Sequence, residues 1–222
     1  MQIEIRDIKK NYGKKQVLNG INFSVGQGEC IGILGANGSG KSTLLSILAG
    51  VLDSNGGQFL LDGRDLLTDK KSRNQFVGYV PQGTPLIDEL TALDNLKLWY
   101  KKEELEAEIK DGVIALLGVD KFLKTTVSKM SGGMKKRLSI ACSIASHPPV
   151  IILDEPMAAL DLVCKKQIYD YIKHHKSNGG IVLLATHDIF DLELCDRCYI
   201  VKNGTAQPYK FDGSTENLVE SL

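Results

Sequence analysis

The chain has 222 residues, a length that suits one large domain or two small ones. Its 27 Lys and Arg residues balance 27 Asp and Glu residues, so the charge predicts no general attraction to nucleic acid, and we expect no nucleic-acid partner. No apolar run approaches the roughly 20 residues of a membrane span, and the N-terminus lacks the long apolar region of a signal peptide. These features favour a soluble intracellular protein that could still dock on a membrane protein.

The N-terminal part of the chain carries strand patterns. Alternating apolar and polar residues over 1–8 and 21–25 predict two half-buried strands. The apolar run 29–35 predicts a buried parallel strand, which leads through a Gly-rich turn into a helix at Thr43–Ala49. Two further strands are predicted at 56–63 and 76–80.

The middle of the chain, from about 84 to 147, lacks strand patterns and indicates mostly helix. Apolar residues recur there at helical spacing on one face, at Leu105, Ile109, Val113 and Leu116. We therefore predict a helical subdomain inserted into a single domain, whose core is formed by 1–83 and 148–222.

The C-terminal part returns to alternating strands and helices. The apolar runs 150–156 and 180–186 predict two more buried strands, and 198–204 predicts a hairpin-like piece. Asp161 can cap a helix that ends at Asn178-Gly179. This order of elements predicts an α/β domain with a mainly parallel core sheet.

A Gly-rich segment between a predicted strand and a predicted helix reads GANGSGKST and matches G-x-x-x-x-G-K-[ST]. Backbone N–H groups in such a loop converge on phosphate oxygens, and glycine allows that close approach. Lys41 would reach the β- and γ-phosphates, and Ser42 would give its hydroxyl oxygen to Mg²⁺. The predicted nucleotide-binding residues are Gly35, Ala36, Asn37, Gly38, Ser39, Gly40, Lys41, Ser42 and Thr43.

Polar side chains follow two of the predicted buried strands, at the edge of a parallel sheet where ligands bind. Asp154 follows the apolar run Val150–Leu153 and would hold Mg²⁺ directly or through water. Glu155 would then orient or deprotonate an attacking water. His187 follows GIVLLAT, and its imidazole would contact the γ-phosphate in the same crevice.

Together these motifs resemble, in their order along nearly the whole chain, the ATP-binding cassette (ABC) ATPases. The resemblance implies a P-loop NTPase fold with a mainly parallel core sheet, an N-terminal antiparallel β subdomain and an inserted helical subdomain. It implies that Tyr12 stacks on adenine. Gln82, in YVPQ, resembles the glutamine that touches Mg²⁺ and senses the transport partner. The implied catalytic residues are Lys41, Gln82, Glu155 and His187, and the implied Mg²⁺ ligands are Ser42, Gln82 and Asp154.

A second motif, SGG at Ser131–Gly133, resembles the family's signature motif, and AALD ending at Asp161 resembles its D-loop. In the family two cassettes pack head to tail, and the signature helix of each closes over the ATP of the other. The resemblance thus implies that Ser131, Gly132, Gly133 and Asp161 contact the nucleotide of a second ABC subunit, which we expect to be a copy of this chain. The usual LSGGQ reads MSGGM here, with Met130 and Met134. This departure removes no catalytic group, so we expect a hydrolysing site.

Two further features of the sequence have competing interpretations. Lys135, Lys136 and Arg137 follow the SGG turn, either as a solvated basic face or as positive potential near the partner's γ-phosphate. Cys195 and Cys198 have CxxC spacing, but two more zinc ligands at a suitable spacing are not evident, so we interpret this spacing as a structural coincidence. The odd number of cysteines, five, favours reduced thiols.

The resemblance implies a function in transport. With one cassette and no span, the chain would hydrolyse ATP, with Mg²⁺, at the inner face of the cell membrane and drive a separately encoded integral membrane permease. The wording SGGMKKRLSIA…PPVIILDEP resembles the subfamily paired with ABC-2-type export permeases, which favours export. Two alternatives stay open: an import cassette, which would need a substrate-binding protein, and an ABC ATPase of a soluble assembly such as iron–sulfur cluster biogenesis.

Overall fold

The computed structural model describes residues 1–186 and 188–222, with Phe190 described by its backbone alone. Its strands form two sheets. An antiparallel sheet has the order β2-β1-β4-β5, and a six-stranded sheet has the order β10-β9-β3-β8-β7-β6. The strands are β1 (Gln2–Tyr12), β2 (Lys15–Gly26), β3 (Cys30–Leu34), β4 (Gly56–Leu61), β5 (Arg64–Asp65), β6 (Val77–Val80), β7 (Val150–Asp154), β8 (Ile181–Ala185), β9 (Arg197–Lys202) and β10 (Thr205–Tyr209).

The helices pack around these sheets. The α-helices are α1 (Lys41–Ala49), α2 (Lys70–Phe76), α3 (Ala92–Lys97), α4 (Lys102–Lys110), α5 (Val113–Leu116), α6 (Gly132–Ser143), α7 (Leu162–Ser177), α8 (Ile189–Leu192) and α9 (Thr215–Ser221). Short 3-10 turns lie at Val119–Phe122 and Val127–Lys129. No helix of the described residues is both long and apolar enough to cross a membrane.

The six-stranded sheet separates two hydrophobic layers. Neighbours β9, β3, β8, β7 and β6 run parallel, and only β10 is antiparallel to its neighbour. Along β7, Val150 and Ile152 face the core shared with the antiparallel sheet and α1, while Ile151 and Leu153 face α6 and α7. Because successive side chains of a strand point to opposite faces, both faces of β7 are buried and the strand is apolar throughout. The predicted α/β class, with its mainly parallel sheet and N-terminal antiparallel sheet, is confirmed.

The predicted continuous apolar helix face in the middle of the chain is wrong in one respect, because the helix breaks after Lys110. Leu105 and Ile109 belong to α4, whereas Val113 and Leu116 belong to α5. The Glu108 carboxylate reaches forward and accepts the Val113 N–H at 2.6 Å, one of the first N–H groups of α5, which have no partner within the helix. A Cβ at Gly112 would lie 2.3 Å from that carboxylate, so glycine makes room for this hydrogen bond.

Two short helices of the structure were not predicted from the sequence, and a third helix starts earlier than predicted. Helix α1 begins at Lys41, two residues before the predicted start at Thr43. Helix α2 was not predicted, although Asp69 caps it by accepting the Ser72 N–H at 3.0 Å. Helix α9 was also missed; Ser214 caps it in the same way. Helix α7 confirms the predicted cap, since Asp161 accepts the Cys164 N–H at 2.8 Å.

The CxxC pair lies beside the central strand β3. The Sγ atoms of Cys195 and Cys198 each lie 3.0 Å from the position that a Cβ on Gly32 would take. Cys30, the third thiol of this group, has its Sγ 3.9 Å from that of Cys195. The thiols of Cys195 and Cys198 therefore fill the space that Gly32 leaves beside the strand because it has no side chain.

Candidate functional site

The phosphate loop (Gly35–Thr43) leaves the carboxyl end of β3 and runs into α1. Gly40 is the N-cap of α1, with φ +110°, and no side chain caps the helix there. A Cβ on Gly40 would lie 2.9 Å from Leu18, so both backbone conformation and space require glycine. The first N–H groups of an α-helix have no partner within the helix, and here no cap takes them. The loop therefore presents backbone donors to an anion.

Lys41 folds back over this loop. Its ammonium donates to Gly35 O at 2.7 Å and to Ala36 O at 3.3 Å, and the residue is only 7% exposed. The loop carbonyls thus hold a positive charge above the N-terminus of α1. Cation and helix end together form an electropositive pocket of the kind that binds phosphate groups.

Asp154 ends β7 beside the phosphate loop and is 2% exposed. Burial raises the pKa of this carboxyl group, while its hydrogen bond with Ser42 and the nearby Lys41 ammonium oppose that effect. Among the residues the structure describes, Oδ1 of Asp154 has no hydrogen-bond partner. A buried carboxylate oxygen of this kind suits a hard divalent cation, for which carboxylate and hydroxyl oxygens are preferred ligands.

Glu155 follows Asp154 and has a backbone φ of +49°. This value lies in the left-handed region, which residues other than glycine rarely adopt. The Glu155 N–H donates to Ala185 O on the adjacent strand at 2.9 Å, so strand pairing holds the strained turn in place. Such strain is tolerated mainly where it places a side chain for function. The Glu155 side chain is 7% exposed and reaches the same pocket as Lys41 and Ser42.

Lys41, Ser42 and Glu155 meet in one cleft of about 620 Å³, called here the phosphate-loop cleft. Asp154 is not part of its lining but is hydrogen-bonded to Ser42, which is. Tyr12, 49% exposed at the end of β1, and Gln82, just beyond β6, lie on its wall. The ammonium of Lys10 lies 5.3 Å from the centre of the Tyr12 ring. The lining residues are Tyr12, Lys15, Val17, Asn37, Gly38, Gly40, Lys41, Ser42, Thr43, Gln82 and Glu155.

Sequence reasoning missed two residues of this lining, Lys15 and Val17 of β2. The signal that could have found them is the short turn after Tyr12, because the hairpin pairs Tyr12 with Lys15 across the two strands. A residue paired with a predicted ligand contact faces the same site. Lys15 therefore adds a positive charge beside the phosphate loop.

His187, placed in the crevice by sequence reasoning, lies outside the described residues. Near Glu155, a buried Thr186–Asp191 pair lies beside a half-buried ion pair of Lys165 and Asp188. The Thr186 hydroxyl donates to Asp191 Oδ2 at 2.6 Å, and the Lys165 ammonium pairs with Asp188 at 2.6 Å. Burial raises the pKa of Asp191 to about 6, and the negative charge of Asp188 adds to that effect. The chain thus concentrates carboxylates on this side of the cleft.

The signature turn (Ser131–Gly133) does not line the phosphate-loop cleft. Ser131 caps α6, its Oγ accepting the Met134 N–H at 3.3 Å, and both Ser131 and Gly132 are exposed. A Cβ on Gly133 would lie 2.3 Å from Cys164 Sγ, next to Asp161. The structure therefore brings the signature turn and Asp161 together, at a place separate from the phosphate loop of the same chain.

The cations after the signature turn are not a solvated basic face, so that interpretation is wrong. Lys136 is 5% and Arg137 9% exposed. The Arg137 guanidinium donates to Gln167 Oε1 at 2.6 Å and to Leu117 O at 3.0 Å, and it lies over the Phe122 ring. Lys135 pairs with Asp88 at 3.3 Å. Each cation is held by residues of its own chain, and two of the three are buried.

Comparison with known proteins relates this geometry to a family. A family model described as "ABC transporter" matches residues 18–158. The matched range contains the phosphate loop, the signature turn and the two acids at the end of β7. Tyr12, Asp161 and His187 lie outside it.

Two curated relatives cover most of the chain. The Nod factor export ATP-binding protein I of Burkholderia orbicola (strain AU 1054) is 33% identical over 224 residues, which is 99% of this chain and 73% of that protein. A probable sulfate/thiosulfate import ATP-binding protein CysA of Chlorella vulgaris is 33% identical over 211 residues, 92% of this chain and 89% of that protein. Relatives named for export and for import therefore match about equally well.

A solved structure matches the fold as well as the sequence. It is a dimeric post-hydrolysis state of an ATP-binding cassette bound to ADP and Pi. The TM-score is 0.83 at 27% identity, and the match covers 96% of this chain and 100% of that one.

Proposed function

This chain belongs to the ABC transporter family and is an ATP hydrolase, and from that premise we propose that it is the nucleotide-binding subunit that drives a solute through a separate membrane permease. The observation that carries the proposal is the phosphate-loop cleft. There the chain combines a glycine-rich helix start, a buried lysine and a strained glutamate, and the buried Asp154 carboxylate is hydrogen-bonded to Ser42 of its lining. Each of these groups has a distinct task in ATP hydrolysis.

Binding of ATP is assigned to the loop and the hairpin of β1 and β2. The backbone of Gly35–Thr43 holds the phosphates, and Lys41 transfers its hydrogen bonds from the loop carbonyls to phosphate oxygens. Tyr12 stacks on adenine at the exposed edge of the cleft, where an aromatic ring offers a flat apolar surface. The cation beside its ring, Lys10, adds to the positive charge at this wall.

The residues present fit a magnesium ion. Asp154 offers the unpartnered carboxylate oxygen, Ser42 offers the hydroxyl next to it, and Gln82 offers an amide oxygen from the cleft lining. When bound, Mg²⁺ would neutralise charge on the β- and γ-phosphate oxygens. The oxygen-only donor set matches the preference of this ion.

Hydrolysis is assigned to Glu155. Its carboxylate accepts a proton from, or orients, the water that attacks the γ-phosphate, and the strained turn keeps the carboxylate in the cleft. Gln82 lines the same cleft, and we assign it to aligning the attacking water and the phosphate. We also assign His187 to the γ-phosphate, with the Thr186–Asp191 pair supporting the segment on either side of it.

Each phosphate-loop cleft is completed by a second copy of the chain. Ser131 and Gly132 are exposed and lie outside the cleft of their own chain, which supports a role over a partner's ATP. Next to Asp161, Leu162 is 84% and Val163 70% exposed, an apolar surface that a head-to-tail partner would cover. ATP then bridges the two copies, and hydrolysis releases them, a ligand-driven shift between closed and open states.

A groove beside the Gln82 segment, lined in part by Pro81, supports the proposal of a membrane partner. The groove holds about 1090 Å³ and is lined in part by Val51, Pro81, Leu86 and Trp99. Val51 is 65% and Trp99 64% exposed, and Ile87 and Leu98, next in sequence to the lining residues Leu86 and Trp99, are also exposed. We assign the groove to a cytoplasmic segment of the permease. We also assign 84–147 as a helical subdomain that moves relative to 1–83 and 148–222 during the cycle.

The transport direction we propose is export. The support is the amino-acid sequence of the signature helix and of the segment up to Asp154. This sequence resembles that of cassettes paired with ABC-2-type permeases. Isolation of the native complex from detergent-solubilised membranes tests both the partner and the direction. We expect a polytopic protein to co-purify; a substrate-binding protein in the complex would contradict export, and soluble partners alone would contradict transport.

The dimer is tested with Glu155→Gln, which keeps the side-chain shape but loses the base. We expect this variant to bind ATP with Mg²⁺, to hydrolyse it at least a hundredfold more slowly, and to elute as a dimer in size-exclusion chromatography. The matched control is Glu155→Gln combined with Ser131→Ala, which should still bind ATP but elute as a monomer. A monomer in both cases would contradict the head-to-tail arrangement.

A further inference from the structure

Lys136 is a buried cation in the second turn of α6, and it lies 5% exposed. Its ammonium donates to Pro81 O at 3.0 Å and to Gln82 O at 2.8 Å, across 55 and 54 residues of sequence. These two carbonyls belong to the segment that carries Gln82 out of the sheet into the cleft wall. Lys136 therefore joins the signature helix directly to the Gln82 segment.

The Gln82 segment needs such a tie because the sheet no longer holds it. Strand β6 is the edge strand of the six-stranded sheet, and its pairing with β7 ends at Val80. Pro81 has no N–H to donate, so beyond Val80 the chain cannot continue the ladder on both sides. An ammonium with three N–H groups can satisfy two adjacent carbonyls at once.

The burial of Lys136 is costly, which favours a specific role for it. Desolvation lowers the pKa of Lys136, and the negative charge of Asp154 counteracts this. A buried cation of this type is retained only with good hydrogen bonds. Its neighbour Lys135 shows the less costly arrangement, a half-buried ammonium that reaches Asp88 at the surface.

We propose that Lys136 is a positioning residue for ATP hydrolysis, holding the main chain of Pro81 and Gln82 so that Gln82 faces the phosphate-loop cleft. The inference rests on the role proposed above for Gln82. Ser131 caps the helix that carries Lys136, so a shift of the signature helix reaches Gln82 through a single side chain. Closure of the signature turn on a partner's ATP is thereby coupled to the alignment of the chain's own cleft.

The test begins with Lys136→Met, which keeps the length of the side chain and removes its donors. We expect kcat for ATP to fall about ten- to a hundredfold, because a misplacement of about 1 Å at a reacting centre costs up to about a hundredfold. KM for ATP should change less than twofold, since Lys136 does not line the cleft. Lys136→Arg, which keeps the charge and several N–H donors in a larger side chain, should lose less kcat than Lys136→Met.

Two controls separate this role from general destabilisation. Lys110→Met removes a lysine that is 81% exposed on α4 and should leave kcat and KM unchanged. All kinetic values are normalised to the folded fraction from circular dichroism. If Lys136→Met does not fold, Lys136→Gln replaces it, because the amide keeps an N–H donor without the buried charge.

A double-mutant cycle with Gln82→Ala is decisive. Because Lys136 acts through Gln82, the combined variant should lose no more kcat than the more impaired single variant. Multiplied losses, or wild-type kcat in Lys136→Met beside an impaired Gln82→Ala, would overturn this inference alone. Wild-type kcat in Gln82→Ala would overturn the role of Gln82 and this inference with it.

Discussion

Helices α1 and α6 both begin in glycine-containing turns, but only α6 has a side-chain cap at its N-terminus. Helix α1 starts at Gly40 with no side-chain cap, and the Lys41 ammonium lies over the loop. Helix α6 starts at Ser131, whose hydroxyl caps it, and the nearest buried cation, Lys136, turns away to the Gln82 segment. The first helix start lies in the cleft with Glu155, whereas the second is exposed and outside it.

The difference shows how one chain can carry two anion-attracting helix ends with separate tasks. At α1 the backbone donors, a cation and the carboxylates of Asp154 and Glu155 are assembled within the chain. At α6 the cations are used for internal contacts, and only the capped turn is presented outwards. This division is the physical basis for the proposed pairing of two copies.

Lys41→Ala tests the first helix start and has the largest expected effect. Loss of the ammonium should lower ATP turnover at least a hundredfold and weaken nucleotide binding by the monomer, because the phosphate charge loses its main side-chain partner. Phosphate release and fluorescent-nucleotide titration measure the two effects.

Ser131→Ala is the matched variant at the second helix start. It should leave monomer binding of nucleotide intact and lower only the turnover of the dimer. An equal loss of nucleotide binding by the monomer in both variants would show that the two helix N-termini belong to one site, which would contradict the separation described above. Unchanged turnover in Lys41→Ala would rule out the phosphate-loop assignment.

Gly133→Ala tests whether the packing of the signature turn against Cys164 requires a glycine. The added methyl group would meet Cys164 Sγ at 2.3 Å, so we expect a loss of about 1–3 kcal/mol in the free energy of unfolding. Gly132→Ala is the control on the preceding residue, where nothing lies within 4 Å, and it should be neutral or slightly stabilising. Urea denaturation measures both. Equal losses would show that the packing against Cys164 does not require the glycine.

Asp191→Asn tests the charge carried beside the cleft and has the smallest expected effect. The folded protein raises the pKa of Asp191 to about 6, so it binds this proton more tightly than the unfolded chain does. The ionised carboxylate therefore costs stability at neutral pH, and the cost disappears as the pH falls through about 6 towards 4. The variant should be more stable than the wild type by on the order of 1–2 kcal/mol at pH 7.5.

The stability difference between Asp191→Asn and the wild type should close near pH 4, as measured by urea denaturation across the pH range. Asn keeps an oxygen that can accept the Thr186 hydroxyl, so the loss of charge is the main change. A difference that stays constant from pH 7.5 to 4 would contradict the raised pKa.

Much of the fold and of the cleft could be predicted from local pattern. The apolar runs of β3, β7 and β8 identify buried parallel strands, and the residues that follow β3 and β7 reach one edge of the sheet because parallel strands end together. Lys15 and Val17 escaped prediction because their part in the cleft depends on the hairpin register of β1 and β2. The break at Gly112 escaped because a side chain, Glu108, ends the helix that apolar spacing would continue.

The phosphate loop, the two acids at the end of β7 and the class of fold follow from the amino-acid sequence, because these depend on residues adjacent in the chain and on the period of strands and helices. The directions of the α6 cations and the need for glycine at 133 became evident from the folded structure. Those outcomes depend on contacts with Pro81, Gln82 and Cys164, which lie far away in sequence. A lysine has the same charge on any helix face, and only the packing around it selects solvent, phosphate or a main-chain carbonyl as its partner.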